Sequence, residues 1–140
     1  MREAKRDPGV VTGPEAVRAF VDAFNAEDLD ALVATLTEDV EIQGSRGLVK
    51  GRSEARNWAT RKPSGELHQR LLLDRCEEHG AHVVADLRRQ WVWIRGDGKP
   101  TGRVADDRQV FYVATIREGL IARWAPFERR EDALRAAGAQ

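Results

Sequence analysis

The chain has 140 residues and a mass of 15.7 kDa, enough for one domain with a real core and too few for two ordinary ones. Its 23 basic residues are balanced by 23 acidic ones, so net charge draws it neither to a nucleic-acid backbone nor to an anionic membrane. One cysteine, Cys76, excludes an intrachain disulfide, and no apolar run approaches the roughly 20 residues of a bilayer-spanning helix.

Residues 1–13 carry positive charge without an apolar stretch and read as a flexible tail of a cytoplasmic protein. Thr12, with Glu15 three positions later and Pro14 in the first turn, marks a helix start. Val17, Phe20, Val21 and Phe24 recur at helical spacing and carry that helix to about residue 26. Leu29, Leu32, Val33 and Leu36 repeat the pattern, predicting a second helix that ends near Thr37. Glu38 and Asp39 then read as a polar turn. Val40 and Ile42 are the inward residues of a short strand closed by Gly44, Ser45 and Gly47, with Glu41 on its opposite face. A third helix starts at Gly51, carries the stripe Ala55, Trp58 and Ala59, and stops at Pro63, Ser64 and Gly65.

The second half has strand character throughout. Runs at 67–76, 81–94, about 104–116 and 120–127 are separated by turn signals at 77–80, 95–98 and 117–119, which predicts an antiparallel meander. Residues 129–137 form either a terminal helix with the stripe Ala133, Leu134 and Ala137 or a frayed tail. The fold class expected is α+β: a cone-shaped roll with three N-terminal helices packed on one side of a strongly curved antiparallel sheet. Its domain spans 14–130, with 131–140 as a C-terminal helix or tail. A sheet bent over helices leaves a concavity, and concavities hold small ligands.

Alternation places Leu87, Arg89, Trp91 and Trp93 on one strand face, and Arg123 with Ala125 and Phe127 on another. Trp58, Trp91 and Trp124 are either core filling or the lining of an aromatic pocket. An arginine beside them, Arg89 or Arg123, needs a carboxylate partner or an anionic ligand if it points inward. Tyr112, the one tyrosine, is either a structural phenol or a hydrogen-bond donor to a carbonyl or enolate oxygen. Asp74 and Asp86 read as outward residues that pair with neighbouring arginines. His79 and His82 fall on opposite faces if their strand begins at 81, and no acid or Cys pattern completes a metal site. Gly96-Asp97-Gly98-Lys99 sits between two strands and is a hairpin rather than a phosphate loop. The candidate catalytic residues are therefore Tyr112 and Arg89, and the candidate ligand-binding residues are Trp58, Trp91, Arg123, Phe127 and Glu41, with no metal and no cofactor.

This element order, with the stretch Asp30 to Val40, the Gly51-Arg52 helix start and Gly119-Leu120-Ile121-Ala122-Arg123-Trp124, resembles the nuclear-transport-factor-like superfamily. That group includes ketosteroid isomerases, limonene epoxide hydrolases and SnoaL-like polyketide cyclases. The resemblance implies where chemistry would sit. The isomerase base falls near Gln43 or Gly44, and its acidic oxyanion partner near Tyr112. The cyclase acid follows Trp124, at Ala125. The hydrolase Arg-x-Asp pair falls on Arg89-Gln90-Trp91. All three patterns lack their carboxylate here. The resemblance thus implies a small-molecule-binding protein, with an isomerase, cyclase or hydratase as its enzymatic form, acting on an apolar or aromatic compound with an anionic or carbonyl oxygen. The alternative is a noncatalytic interaction module. A homodimer formed through the outer sheet face fits either, with no nucleic acid and no membrane as partner.

Overall fold

The computed structural model describes residues 11–44, 47–60, 67–95 and 99–138. Helix α1, Gly13–Ala26, starts as the sequence demands: the Thr12 hydroxyl accepts from the Glu15 amide at 3.1 Å, and the Glu15 carboxylate accepts from the Thr12 amide at 2.9 Å. Ala16, Val17, Phe20, Val21 and Ala23 form its buried stripe. Helix α2, Leu29–Ala34, is shorter than its apolar spacing predicts. Thr35 ends it, with its hydroxyl donated to the Leu32 carbonyl and its own carbonyl accepting from the Ile121 amide. That second bond belongs to the sheet, so Leu36 and Thr37 enter strand β1, Leu36–Gly44, rather than a last helical turn. Glu38 and Asp39, read as a turn, lie inside this strand and are exposed, while Val40 and Ile42 are fully buried as expected.

Strand β2, Gly47–Lys50, was not evident from four residues with little alternation; it pairs antiparallel with β1, Gly44 opposite Gly47. Helix α3, Gly51–Thr60, buries Ala55 and half-buries Trp58 and Ala59. Its Arg52 guanidinium donates two bonds, of 3.0 and 2.6 Å, to the Leu36 carbonyl, where the β1 register shifts and the strand cannot supply a partner. The predicted stop at 63–65 lies outside the described residues.

The meander follows as β3, Leu67–His79; β4, His82–Ile94; β5, Pro100–Arg117; and β6, Leu120–Phe127. Residues 77–79 belong to β3 because Glu77 and His79 pair with Val84 and His82; the turn is Gly80–Ala81, with Gly80 at φ +63°. His79 and His82 therefore face each other on one side of the sheet, not on opposite faces. They take different partners, Glu77 and Thr115, and among the described residues no cluster could hold a metal. Strand β5 begins earlier than its apolar run, at Pro100, opposite Ile94. Of the 95–98 turn, 96–98 lie outside the described residues.

Among the described residues six strands form one unclosed sheet in the order β2-β1-β6-β5-β4-β3, antiparallel except that β1 runs parallel to β6. Helices α1 to α3 pack on its inner face, where Phe20, Leu32, Val40, Ile42, Leu71, Ala85, Leu87, Tyr112 and Trp124 form the main core. Helix α4, Arg130–Ala136, departs from the expectation of helices on one side. Its Ala133, Leu134 and the following Ala137 cover Val84, Val113 and Phe127 on the outer face, a second, smaller apolar cluster.

Two contacts fix α1 on the sheet. The Asn25 side-chain amide accepts from the Leu71 amide at 2.9 Å and donates to the Leu71 carbonyl at 2.8 Å, standing in for a neighbouring strand on the sheet edge. At the other end Gly13 lies so close that an added Cβ would stand 2.6 Å from Val83 Cγ2. Val83 is fully buried and cannot retreat. Gly13→Ala should therefore destabilise the protein by about 1–3 kcal/mol, overriding the helical gain of about 1 kcal/mol that alanine usually brings. Urea unfolding of the variant checks the sign.

Candidate functional site

On the inner face the aromatic side chains form a continuous array from sheet to helices. Tyr112 of β5 stacks on Trp124 of β6, with centroids 4.5 Å apart and planes 16° from parallel. Trp124 meets Phe20 of α1 at 4.7 Å, and Phe20 meets Trp58 of α3 at 6.4 Å. Phe24, one helical turn on from Phe20, closes the array against Trp58 at 6.0 Å. Trp124 is 1% exposed and Phe20 is fully buried, so these two rings are core; Trp58 and Phe24 are half-buried and reach the surface of the array.

Registers across β3, β4 and β5 set what borders this array. Leu71, Arg89 and Arg108 stand side by side on the inner face, and in the next inward row Gln69, Trp91 and Asp106 do the same. Arg89 and Trp91 are half-buried there, while Asp106 and Arg108 are exposed. The Tyr112 phenol, on the same face, is held in its neutral form by burial, which pushes its pKa up; the positive charge of Arg89 pulls the other way. This pairing of a protonated phenol with a guanidinium can receive a developing negative charge on an oxygen.

The sign of that shift gives a test. Below about pH 10 the phenol is neutral in both folded and unfolded chains, so its full contribution to stability is present. As pH rises past that point the unfolded chain ionises first, and stability is lost until the higher folded pKa is passed. Tyr112 is the only tyrosine, so phenolate absorbance near 295 nm reports it alone. Its midpoint should lie above that of the urea-unfolded protein, and Tyr112→Phe should flatten the alkaline limb of the stability curve.

The structure divides the predicted site residues into two groups. Tyr112, Arg89, Trp91 and Trp58 belong to the inner side. Glu41, Arg123 and Phe127 do not. Glu41 is opposite Arg123 in the β1–β6 register and accepts from its Nη1 at 3.3 Å, on the face away from Val40, Ile42 and Trp124. Phe127 packs with Val84, Val113 and Ala133 under α4. The reason is alternation: Trp124 faces inward, so Arg123, Ala125 and Phe127 face outward. Asp86 is also on the outer face, 7% exposed, between Arg75 Nε at 3.1 Å and Arg130 Nε at 3.6 Å. Arg88 pairs with Asp107 rather than with Asp86. Cys76 is half-buried, and burial pushes its thiol pKa up, which suits an unreactive cysteine.

Geometry also accounts for the missing carboxylate at the Gln43–Gly44 end of β1. A Cβ on Gly44 would lie 3.2 Å from the Trp58 indole nitrogen, so the indole covers the ground an acid side chain there would need. Gln43 is exposed. Sequence reasoning missed Arg108 and Asp106, whose places depend on a register that shifts between Trp91 and Val92. Their alternation with Val110 and Tyr112 was the available signal.

A sequence profile described as a SnoaL-like domain matches residues 17–124. The chain belongs to the SnoaL-like family. Its curved, unclosed sheet under three helices shares the fold of an NTF2-like protein from Burkholderia pseudomallei, 21% identical over 89% of this chain and 95% of that one, with a TM-score of 0.64. No functionally curated protein matches it. Among solved structures it is similar to a limonene-epoxide-hydrolase-like enzyme from Mycobacterium tuberculosis, with 20% identity, 89% of this chain and 87% of that one covered, and a TM-score of 0.66. A candidate polyketide cyclase from Sinorhizobium meliloti is 20% identical over 81% of this chain and 94% of its own, with a TM-score of 0.64. TerC, co-crystallised with polyporic acid, is 18% identical over 89% of this chain and 97% of its own, with a TM-score of 0.65. At such identities the likeness is one of fold. No helix among the described residues is long and apolar enough to cross a membrane.

Proposed function

We propose that this SnoaL-like protein binds a small apolar or aromatic molecule on the inner side of its sheet, with a carbonyl or anionic oxygen of the ligand directed at Arg89 and Tyr112. The observation that carries the reading is Arg89 itself. It is half-buried on the helix-facing side of the sheet, and among the described residues no carboxylate forms an ion pair with it, while its charge acts on the Tyr112 phenol. A guanidinium in that position is completed by an anionic oxygen. Trp91 beside it, and Trp58 and Phe24 across from the sheet, offer apolar and aromatic surface. The relatives support a small-molecule role, since one is an epoxide hydrolase by name and another was crystallised with polyporic acid.

If the bound molecule reacts, Tyr112 donates to the oxygen that gains charge, and Arg89 favours that charge. Isomerisation beside a carbonyl, aldol-type cyclisation and conjugate hydration each pass through an enolate oxyanion of this kind. None of the carboxylate positions that the family resemblance implies holds an acid, so the base is not supplied from those places. The noncatalytic reading draws less support. Part of the outer face is covered by α4, and next to it runs an ion-paired row in which Asp107 accepts from Arg88 and Gln90, and Gln90 accepts from Arg70 at 2.6 Å. Homodimerisation is compatible with both readings.

The aromatic dye 1-anilinonaphthalene-8-sulfonate gives the test. Its emission should rise on binding the native protein, and the rise should be lost in Trp91→Ala and kept in Leu72→Ser, which alters an exposed apolar residue next in line to Leu71. The reverse pattern would sink the proposal.

A further inference from the structure

We propose that the ligand's anionic group is a single carboxylate, held between Arg89 and Arg108, and that Arg108 sets this specificity. The inference rests on the inner side of the sheet being a ligand site. Arg89 and Arg108 are direct partners in the β4–β5 register, and they share the inner face with Leu87 and Val110 in the adjacent row. Like charges directly opposite each other destabilise a sheet, and among the described residues no carboxylate forms an ion pair with either. The next row outward shows the ordinary solution. There Gln90 is opposite Asp107, and Asp107 accepts from both Gln90 and Arg88. The inner row keeps two cations and lacks an acid between them.

A carboxylate placed between two guanidinium groups on neighbouring strands accepts from both with its two oxygens. Arg89 has N–H donors to spare for such a ligand, because a guanidinium has five. Asp106, opposite Trp91 in the adjoining inner row, lowers the formal charge of the patch from two to one. One positive charge matches a monoanionic carboxylate better than a doubly charged phosphate. Trp91, next to Arg89 on the same face, supplies the surface for an aromatic body.

The full chain can be titrated with 2-naphthoate and with 2-naphthamide, which share a ring system and differ in charge, following tryptophan emission and heat. Naphthoate should bind at least about 10-fold tighter than naphthamide. Arg108→Gln should remove most of that difference without weakening naphthamide. Arg103→Gln, the same charge change at an exposed position of the same strand, should leave both affinities alone. Equal binding of the two probes, or equal losses in the two variants, overturns the carboxylate assignment while leaving the ligand site standing. Failure of both probes to bind overturns the site and the assignment together. Circular dichroism of Arg108→Gln confirms that a lost preference is not lost folding.

Discussion

Replacing Trp124 with alanine is expected to lower the free energy of unfolding by about 3–5 kcal/mol, near the upper end for a single core truncation. Trp124 is the largest fully buried side chain, and it sits between Tyr112 and Phe20 in the ring array. Its removal deletes apolar burial and leaves two rings facing a void, with neighbours fixed on a strand and a helix that cannot both close in. For a domain of this length the midpoint of thermal unfolding should fall by roughly 10–20 °C. Trp124→Phe keeps one stacked ring and should cost less. A loss below about 1 kcal/mol in the alanine variant would mean that the array is not the centre of the core.

Arg89→Met should behave in the opposite way. Methionine keeps the apolar stem but removes a charge that stands directly opposite Arg108, so stability should hold or rise slightly. Binding of an aromatic carboxylate should fall by about 10- to 100-fold, the loss expected for hydrogen bonds to a charged group. The Tyr112 phenol should also change. Arg89 pulls its pKa down against the effect of burial, so the variant's phenol should titrate higher than that of the parent protein. Spectrophotometric titration and calorimetry read these separately. A variant with lower stability, an unmoved phenol and normal binding would make Arg89 a structural residue.

Most of the fold was legible in the sequence, because its signals are local. The capping box at Thr12 and Glu15, the apolar spacing of α1, the Gly51 start of α3 and the turn at Gly119 each act within a few residues. What was misread depends on distant partners. Leu36 and Thr37 carry helical spacing, yet β6 draws them into β1 through the Thr35 carbonyl. Strand β2 exists because β1 offers it an edge. The weak stripe of α4 did not say which face it would cover, and it covers the outer one.

The site was legible by parity and no further. Placing Arg89 with Trp91 needed only alternation along one strand. Separating Tyr112 and Arg89 from Arg123 and Phe127 required knowing which face of β6 Trp124 occupies. Bringing Arg108 beside Arg89 required the pairing of β4 with β5, whose register shifts past Trp91. The absence of an acid at Gly44 was plain in the sequence. The Trp58 indole above it, which explains that absence, comes from α3, eight residues past the end of β2.

The proposed site places a small molecule on the helix-facing side of the sheet beside Arg89, Tyr112 and Trp91. A crystal structure of protein purified from its producing cells tests it most directly. An organic molecule is expected among Trp58, Trp91 and Arg89, with an oxygen within hydrogen-bond distance of the guanidinium or the Tyr112 hydroxyl. A space closed by side chains, with Arg89 paired to a carboxylate of the chain itself, would contradict it.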